Sequence, residues 1–328
     1  MFHLLNLFGA PAIPLDNLDQ IIKNSPNLII WAAPIMLFFA ALEVYLSYKQ
    51  ERGYYEKKEA WAAVWVGLGN VAINFLIKSL LFLPFLWLYN LVPWRMQFAW
   101  WTIIPCYIIY DYASYWAHRV SHASRFWWAT HVVHHSAEHY NLTVSFRLSW
   151  VQNLKLIFFM PVMLFGWHPV IFFIVSQVAV LFQFWVHTEY IRKLPRWVEY
   201  IFATPSNHRV HHGSQEKYVD KNFAATFIIF DRIHGTYVEE TEQVKYGITT
   251  NITHKGNPFY INFHEYLDMW RDLKEAKGWR NKWFYIWGSP IAIYKHKLRR
   301  AEKERKPLRA ENKFIVTKEE YDELMESA

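Results

Sequence analysis

Cysteine is almost missing from this chain. One residue, Cys106, serves 328 positions, so no internal disulfide and no thiolate metal cage can form. Charge is scarce as well. Asp, Glu, Lys and Arg make up 19%, against about 25% in a typical soluble domain. There is no G-x-S-x-G and no phosphate-cradling glycine loop, which removes the usual signatures of those hydrolase and nucleotide chemistries. The N-terminus has no charged region before its short apolar stretch and does not read as a cleaved signal peptide. No repeat and no low-complexity linker is visible. What is abundant is apolar and aromatic: 53% of residues are hydrophobic, with 18 Trp, 20 Tyr and 25 Phe. Such a chain is neither disordered nor an ordinary cytosolic globule. Mean hydropathy is nevertheless only −0.04, so the apolar residues must be clumped. The 16 histidines are clumped too. The net charge of +7 gathers near the C-terminus and is not the footprint of a nucleic-acid partner.

A bilayer core about 30 Å thick needs roughly 20 apolar helical residues. Residues 28–46 fit, with Glu43 as the one charge. Residues 60–92 carry only Lys78 and are longer than needed; a single tilted helix is expected rather than a hairpin. Within it Asn70, Asn74 and Lys78 form a polar stripe at i, i+4 and i+8, suited to interhelical hydrogen bonding. Residues 98–117 are a third span, expected to emerge near Asp111. Residues 156–186 are too long for one helix, and Gly166-Trp167-His168-Pro169 interrupts them. They predict a helical hairpin, 150–165 and 169–187. Lys49, Arg52, Lys57 and Lys58 follow the first span and place that loop in the cytoplasm. Parity then brings the end of the third span, both ends of the hairpin and the polar remainder to the same side. The basic stretch 295–309 is suited to anionic headgroups, or to a solvated helix face.

Ten histidines fall where this topology converges. His118 and His122 are four apart. His131, His134 and His135 occupy i, i+3 and i+4, and His208, His211 and His212 repeat that spacing, so each set shares one helix face. His187 ends the last span, and His139 lies four beyond His135. So many imidazoles are costly to gather unless hydrogen-bonded or coordinated, and neutral imidazole suits Zn, Fe, Cu and Ni. Eight to ten ring nitrogens exceed the needs of one ion, so two metals are the economical reading. A competing motif is His135-Ser-Ala-Glu138-His139, the H-x-x-E-H pattern of a zinc peptidase. It leaves at least seven ligand-like histidines unused. A haem needs only one or two.

These boxes resemble the fatty acid hydroxylase / sterol desaturase superfamily. The likeness extends to D-Y-A-S-Y-W-A-H-R-V-S-H from Asp111, H-H-S-A-E-H-Y-N from His134, F-W-V-H-T-E from Phe184, T-P-S-N-H-R-V-H-H-G from Thr204 and D-R-I-H-G-T-Y from Asp231. The later blocks, with N-F-H-E-Y-L-D-M-W-R-D-L from Asn262, are most similar to the alkylglycerol monooxygenase branch; His139, His234 and Ala123 depart from its pattern. The resemblance covers about residues 100–290. It implies a membrane-embedded di-iron oxygenase that splits O2 and hydroxylates, or desaturates, a lipid C–H bond. By it the metal ligands are His118, His122, His131, His134, His135, His208, His211 and His212, with His187 as a ninth. Asp111, two turns before His118, is expected to orient an imidazole. Asn141, Asp220 and Asn222 sit in family-like blocks, and Asn141 is counted with Asp111 and His187 among the catalytic candidates.

The expected fold is all-α, an integral membrane bundle of four to five transmembrane helices with a cytoplasmic helical cap holding a histidine-rich di-metal site. Its parts are N-terminal membrane helices (1–97), a hydroxylase-like catalytic region (98–250) and a cytoplasmic C-terminal helical region with a basic tail (251–328). The implied cofactors are two iron ions, with zinc as a substitute in purified protein, and tetrahydrobiopterin or another external electron donor. The implied partners are a lipid substrate of fatty acyl, alkylglycerol or sterol-like type and the bilayer. Two alternatives stand beside this: a zinc peptidase built on His135, Glu138 and His139, and a membrane metal-binding protein without catalysis.

Overall fold

The computed structural model describes residues 9–248 and 251–304. His3 and the tail from 305 onward, including the end of the basic stretch, lie outside them. The architecture is helical, with no strand among the described residues. The helices used below are α1 (Leu28–Lys49), α2 (Lys57–Leu76), α3 (Lys78–Leu91), α4 (Ile103–Ala123), α5 (Arg125–His135), α6 (Pro169–Trp185), α7 (Pro205–His211), α8 (Pro258–Glu275), α9 (Trp279–Trp287) and α10 (Pro290–Glu304).

The helix α1 starts where Asn27 caps it, the side-chain oxygen accepting from the Ile30 amide at 3.2 Å, as a helix N-terminus requires. It turns Trp31, Ile35, Phe38 and Leu42 outward, the surface of a helix meant for an apolar surrounding. Two helical stretches, within Leu15–Lys49 and Lys57–Leu76, are long and apolar enough to cross a membrane by length and composition. Glu43 is buried, held by Tyr55, Thr188 and the amide of Leu142.

Residues 60–92 are not one helix. Ile77, at φ −105° and ψ 13°, divides α2 from α3. One turn earlier the Asn74 side-chain amide donates back to the Asn70 carbonyl at 3.0 Å, a local bond that competes with the helix ladder. Asn70 also donates to the Ser149 carbonyl at 2.8 Å, and Asn153 donates to Asn74 at 2.9 Å, so the stripe ties α2 to the following arm. Asp111, near which the third span is expected to emerge, is fully buried inside α4.

The hairpin has only one α-helical arm. Gln152–Phe158 and Met160–Phe165 are 3-10 helices, and Gly166, left-handed at φ 82°, turns the chain into α6. At a rise of about 2.0 Å per residue, residues 152–165 reach about 28 Å, near the hydrocarbon thickness of about 30 Å. His168 caps α6 by accepting from the Val170 amide at 3.2 Å. The core joins α3, α4, α6 and the 3-10 arm through Phe85, Leu86, Tyr110, Met163, Ile171 and Phe172. Rings stack across it, Phe82 on Phe173 at 3.8 Å and Tyr110 on Phe159 at 4.6 Å.

Helix α4 packs on both α5 and α6, which brings the ends of all three together. Arg125, buried at the start of α5, donates to Glu265 at 2.5 Å and Asp272 at 2.6 Å, and Lys297 of α10 pairs with Asp272 at 2.6 Å. A buried guanidinium needs such partners; here they bolt α5 to α8 and α10.

Candidate metal centre

Four segments carry the rings. The last two turns of α4 hold His118 and His122, α5 holds His131, His134 and His135, and α7 holds His208 and His211, with His212 as its cap. His187 follows α6 directly. Helix α7 is short and wholly buried. Thr204 caps it, accepting from Asn207 at 3.3 Å, and Pro205 supplies the first helical position, where a missing N–H costs nothing.

The nine rings meet in two groups. His118, His122, His131, His135 and His211 form group A; His134, His187, His208 and His212 form group B. Within a group the ligand atoms all lie within 4.8 Å of one another. In group B the Nε2 atoms of His187 are 3.1 Å from His134 and 3.0 Å from His208, and that of His212 is 3.1 Å from His134. In group A the His135 Nε2 is 3.1 Å from His131 and 3.0 Å from His211. A metal about 2.1 Å from each nitrogen sets two ligands at right angles about 3.0 Å apart.

The opposite ring nitrogens decide which tautomer each ring takes. His118 Nδ1 donates to the Phe223 carbonyl at 2.7 Å, His211 Nδ1 to the Lys221 carbonyl at 2.9 Å, and His187 Nδ1 to the Gln183 carbonyl at 2.7 Å. His122 Nδ1 pairs with the Asp220 carboxylate at 3.1 Å. A carbonyl only accepts, so each of these nitrogens carries the proton, and in the neutral ring Nε2 is a bare lone pair. The His118 and His122 Nε2 atoms are buried with no hydrogen-bond partner among the described residues. Ring nitrogens gathered this closely, with bare lone pairs on His118, His122, His187 and His211 among them, are a donor set for a cation. The set therefore fits two transition-metal ions, one per group, with a donor chemistry open to iron or zinc. Burial first, then neighbouring charged groups, holds His131, His134, His135, His208 and His212 well below the ordinary imidazole range; His211 is held low by burial and His122. The rings are in the form that binds metal.

One short loop orients three rings of group A. Asp220, Lys221 and Phe223 supply the acceptors for His122, His211 and His118. Asp220 and Asn222 are left-handed, at φ 57° and 53°, a conformation that Asp and Asn tolerate best after glycine. The Asn222 side chain fixes the shape by bonding the carbonyls of Asn207 and Val238 and the Val238 amide. Buried Asp231 accepts from the amides of Phe223 at 2.7 Å and Ala224 at 2.8 Å.

Other expected residues fall elsewhere. Asp111 meets no imidazole; it accepts from the Phe227 amide at 2.8 Å and anchors the end of that loop. The ring-orienting carboxylate is Asp220. Asn141 caps a 3-10 turn, accepting from Thr143 and donating to the Tyr54 carbonyl at 2.7 Å, and touches no ring. His139 turns to Glu59 at 3.1 Å and Glu138 to Lys255 at 3.2 Å. Neither belongs to a metal-capable group, so His135, Glu138 and His139 do not assemble a zinc peptidase site. His234 stacks on Tyr115 at 5.0 Å.

Three charged residues support the centre with no sequence spacing that ties them to it. Buried Arg147 donates to the Val133 carbonyl at 3.1 Å and Ser136 at 2.8 Å, closing the end of α5. Arg209, between two ligands of α7, binds Glu240 through two bonds and the carbonyls of Thr188 and Ile191. Glu43 fixes Thr188, next to His187. Each is an isolated charge in the sequence, with no spacing that marks it.

Two cavities border the centre. One of about 70 Å³ touches His122, His135, His211 and His212 beside Trp128 and Asp220, room for a molecule of a few atoms. The other, about 830 Å³, is lined by Tyr54, Tyr140, Glu189, Arg192, Arg209 and Tyr246 among others. Tyr140 forms the wall between it and group B, its ring 5.1 Å from His212 and 5.7 Å from His187.

Comparison with known proteins bears on the same residues. The family model for fatty acid hydroxylase matches residues 103–236, which hold all nine rings. An alkylglycerol monooxygenase of Xenopus tropicalis is 38% identical over 200 residues, 61% of this chain and 44% of that protein. One of Homo sapiens is 31% identical over 285 residues, 84% of this chain and 62% of that protein. An ornithine lipid hydroxylase, OlsE, of Rhizobium tropici is 26% identical over 147 residues, 44% of this chain and 43% of that protein. The chain thus spans about half to three-fifths of the length of the monooxygenases it matches. No solved structure matches.

Proposed function

Residues 103–236 are a fatty acid hydroxylase-family domain, and from that premise we propose that the chain is a membrane-bound oxygenase that hydroxylates, or desaturates, a lipid C–H bond with O2. The carrying observation is the inward convergence of nine imidazoles in two groups, with the Nε2 atoms of His118 and His122 buried and unpartnered. In this reading His118, His122, His131, His135 and His211 hold one iron ion and His134, His187, His208 and His212 the other. Iron held there would supply the activation of O2, from which the inserted oxygen atom comes.

The chain's own residues set the conditions. Asp220 and the carbonyls of Lys221, Phe223 and Gln183 keep the Nδ1 protons in place, so that Nε2 stays a donor. Burial favours the neutral form of His131, His134, His135, His208, His211 and His212. The 70 Å³ cavity beside group A has room for O2. The substrate is a lipid with a long chain and a polar head, the common chemistry of the alkylglycerol and ornithine-lipid relatives. Its chain arrives from the bilayer, which α1, α2, α4 and the 3-10/α6 hairpin cross. The histidines then sit at the cytoplasmic ends of these helices, the side marked by Lys49, Arg52, Lys57 and Lys58.

Hydroxylation needs two electrons from outside: RH + O2 + DH2 gives ROH + H2O + D. The 830 Å³ cavity behind Tyr140 is where a soluble donor DH2 comes within one side chain of group B.

The test is direct. Protein loaded with Fe2+ without air should hold two irons per chain and consume O2 when lipid and reductant are added. A single zinc per chain with activity lost in Glu138→Gln refutes the reading, as does full turnover in His134→Ala or His211→Ala.

A further inference from the structure

We infer that α8 and α9 form a collar lying in the headgroup layer of the membrane on the histidine side, where an aromatic ridge binds lipid. The inference rests on the reading that α1 and α2 cross a bilayer. It names a surface to which that reading gives no role.

The ridge follows helical spacing. On α8, Phe259, Phe263, Leu267 and Trp270 lie at i, i+4, i+8 and i+11; on α9, Trp279, Trp283 and Trp287 lie at i, i+4 and i+8. These are not core residues. Trp270 is 58%, Trp279 72% and Trp283 61% exposed. Such a stretch of indole is unfavourable in water and too large to pass as scattered surface residues. The opposite face of α8 is where Ile261, His264 and Met269 are buried and where Glu265 and Asp272 take Arg125.

The charges beside the ridge name the partner. Lys274, Lys277, Arg280 and Lys282 are exposed, and Glu275 is the one exposed carboxylate from 270 to 287. Lys274 lies 5.3 Å over the Trp270 ring and Arg280 5.6 Å over Trp279. Tryptophan and leucine on one side with lysine and arginine alongside is the composition of helices that lie in the interface. The cations suit the anionic cytoplasmic leaflet. The surface also continues into the spans: Phe259 packs on Trp150 at 4.9 Å, Trp150 donates to the Val66 carbonyl of α2 at 2.9 Å, and α2 exposes Trp61 and Trp65. At the other end Trp287 meets Phe126 of α5 at 5.1 Å.

The collar reaches the metal centre mechanically. Arg125 locks α8 to α5, the helix of His131, His134 and His135. The depth at which the ridge settles therefore sets the height of group A and group B relative to the lipid chains.

The experiment places single nitroxide labels on cysteine in full-length protein, with Cys106→Ser as background, in nanodiscs of phosphatidylcholine and phosphatidylserine. Ridge sites are Trp270→Cys and Trp283→Cys, with Trp279→Cys as a replacement should either fail to fold. Phe38→Cys on α1 and Lys217→Cys in a polar loop are the references. Collisions with O2 report lipid and collisions with a nickel chelate report water. Ridge labels should shift from chelate to O2 relative to position 217, at a depth between it and position 38. Ridge labels as open to chelate as position 217, with position 38 in lipid, overturn the collar and leave the spans standing. Ridge labels closed to both reagents show a second protein copy on this face and overturn it too. Position 38 in water overturns the spanning reading and the collar with it.

Discussion

Exchanging His211 for alanine removes a nitrogen from group A alone, and His134→Ala removes one from group B alone. Each variant should retain about one metal per chain where the parent holds two, read by metal analysis after anaerobic loading. Loss of both metals in either variant would show that the two groups are a single site. Asp220→Ala should weaken metal retention about 10- to 100-fold, the usual cost of losing the partner that orients a ligating imidazole; Asp111→Ala should weaken it less, because Asp111 touches no ring and holds only the far end of the loop, at the Phe227 amide. The difference between these two aspartates shows where the sequence stops being legible. The ring pattern is local, with spacings of three and four on helices, and it is visible in the chain. Asp111 shares a helix face with His118 and so looked like its partner. Asp220 reaches His122 across 98 residues of chain, through a left-handed turn that no spacing rule encodes. The same holds for Arg147, Arg209 and Glu43, whose partners are backbone carbonyls, amides and carboxylates brought in from distant segments.

Apolar runs and the Gly166–Pro169 interruption locate the helices well, because both are matters of composition. How the chain is wound within a run is not. Residues 152–165 are apolar in either winding, and only the packing against α3 and α4 selects the 3-10 form. The break at Ile77 is equally silent, since an asparagine stripe in a long apolar run reads as one helix until Asn74 is seen bonding backward. Two substitutions probe these elements. Gly166→Ala puts a methyl group 2.4 Å from the Trp94 carbonyl at a φ of 82°, a strained conformation worth about 1–3 kcal/mol. It should lower the unfolding temperature in detergent without changing metal content per folded chain. Asp231→Ala strands the amides of Phe223 and Ala224; each unsatisfied buried donor costs about 1–3 kcal/mol. Here metal retention should fall along with stability, because the loop that aims three rings loses its anchor. Stability lost with metal retained would separate the loop from the centre.

At the scale of the whole molecule, six rings make the metal-free protein sensitive to acid. Outside the spans, His131, His134, His135, His208, His211 and His212 have folded pKa values well below the ordinary value of about 6.5. Below that pH the unfolded chain takes up protons that the folded chain refuses, so stability falls as pH drops through 6.5 and levels off above it. Metal-free protein should melt at a lower temperature at pH 5 than at pH 7.5; equal melting temperatures would refute neutral rings. The two groups are also supported unequally. Group A hangs largely from the loop 220–223, whose Asp220 is 44% exposed at the edge of the small cavity. In group B, His187 is oriented by the last turn of α6, and Tyr140 shields the group on one side. The ions should accordingly differ in lability. A water-soluble chelator should strip the protein in two phases, the fast one emptying group A. Reloading with limiting metal should then refill the more deeply enclosed group last, so that half-loaded protein prepared by chelation and by titration would be two different species.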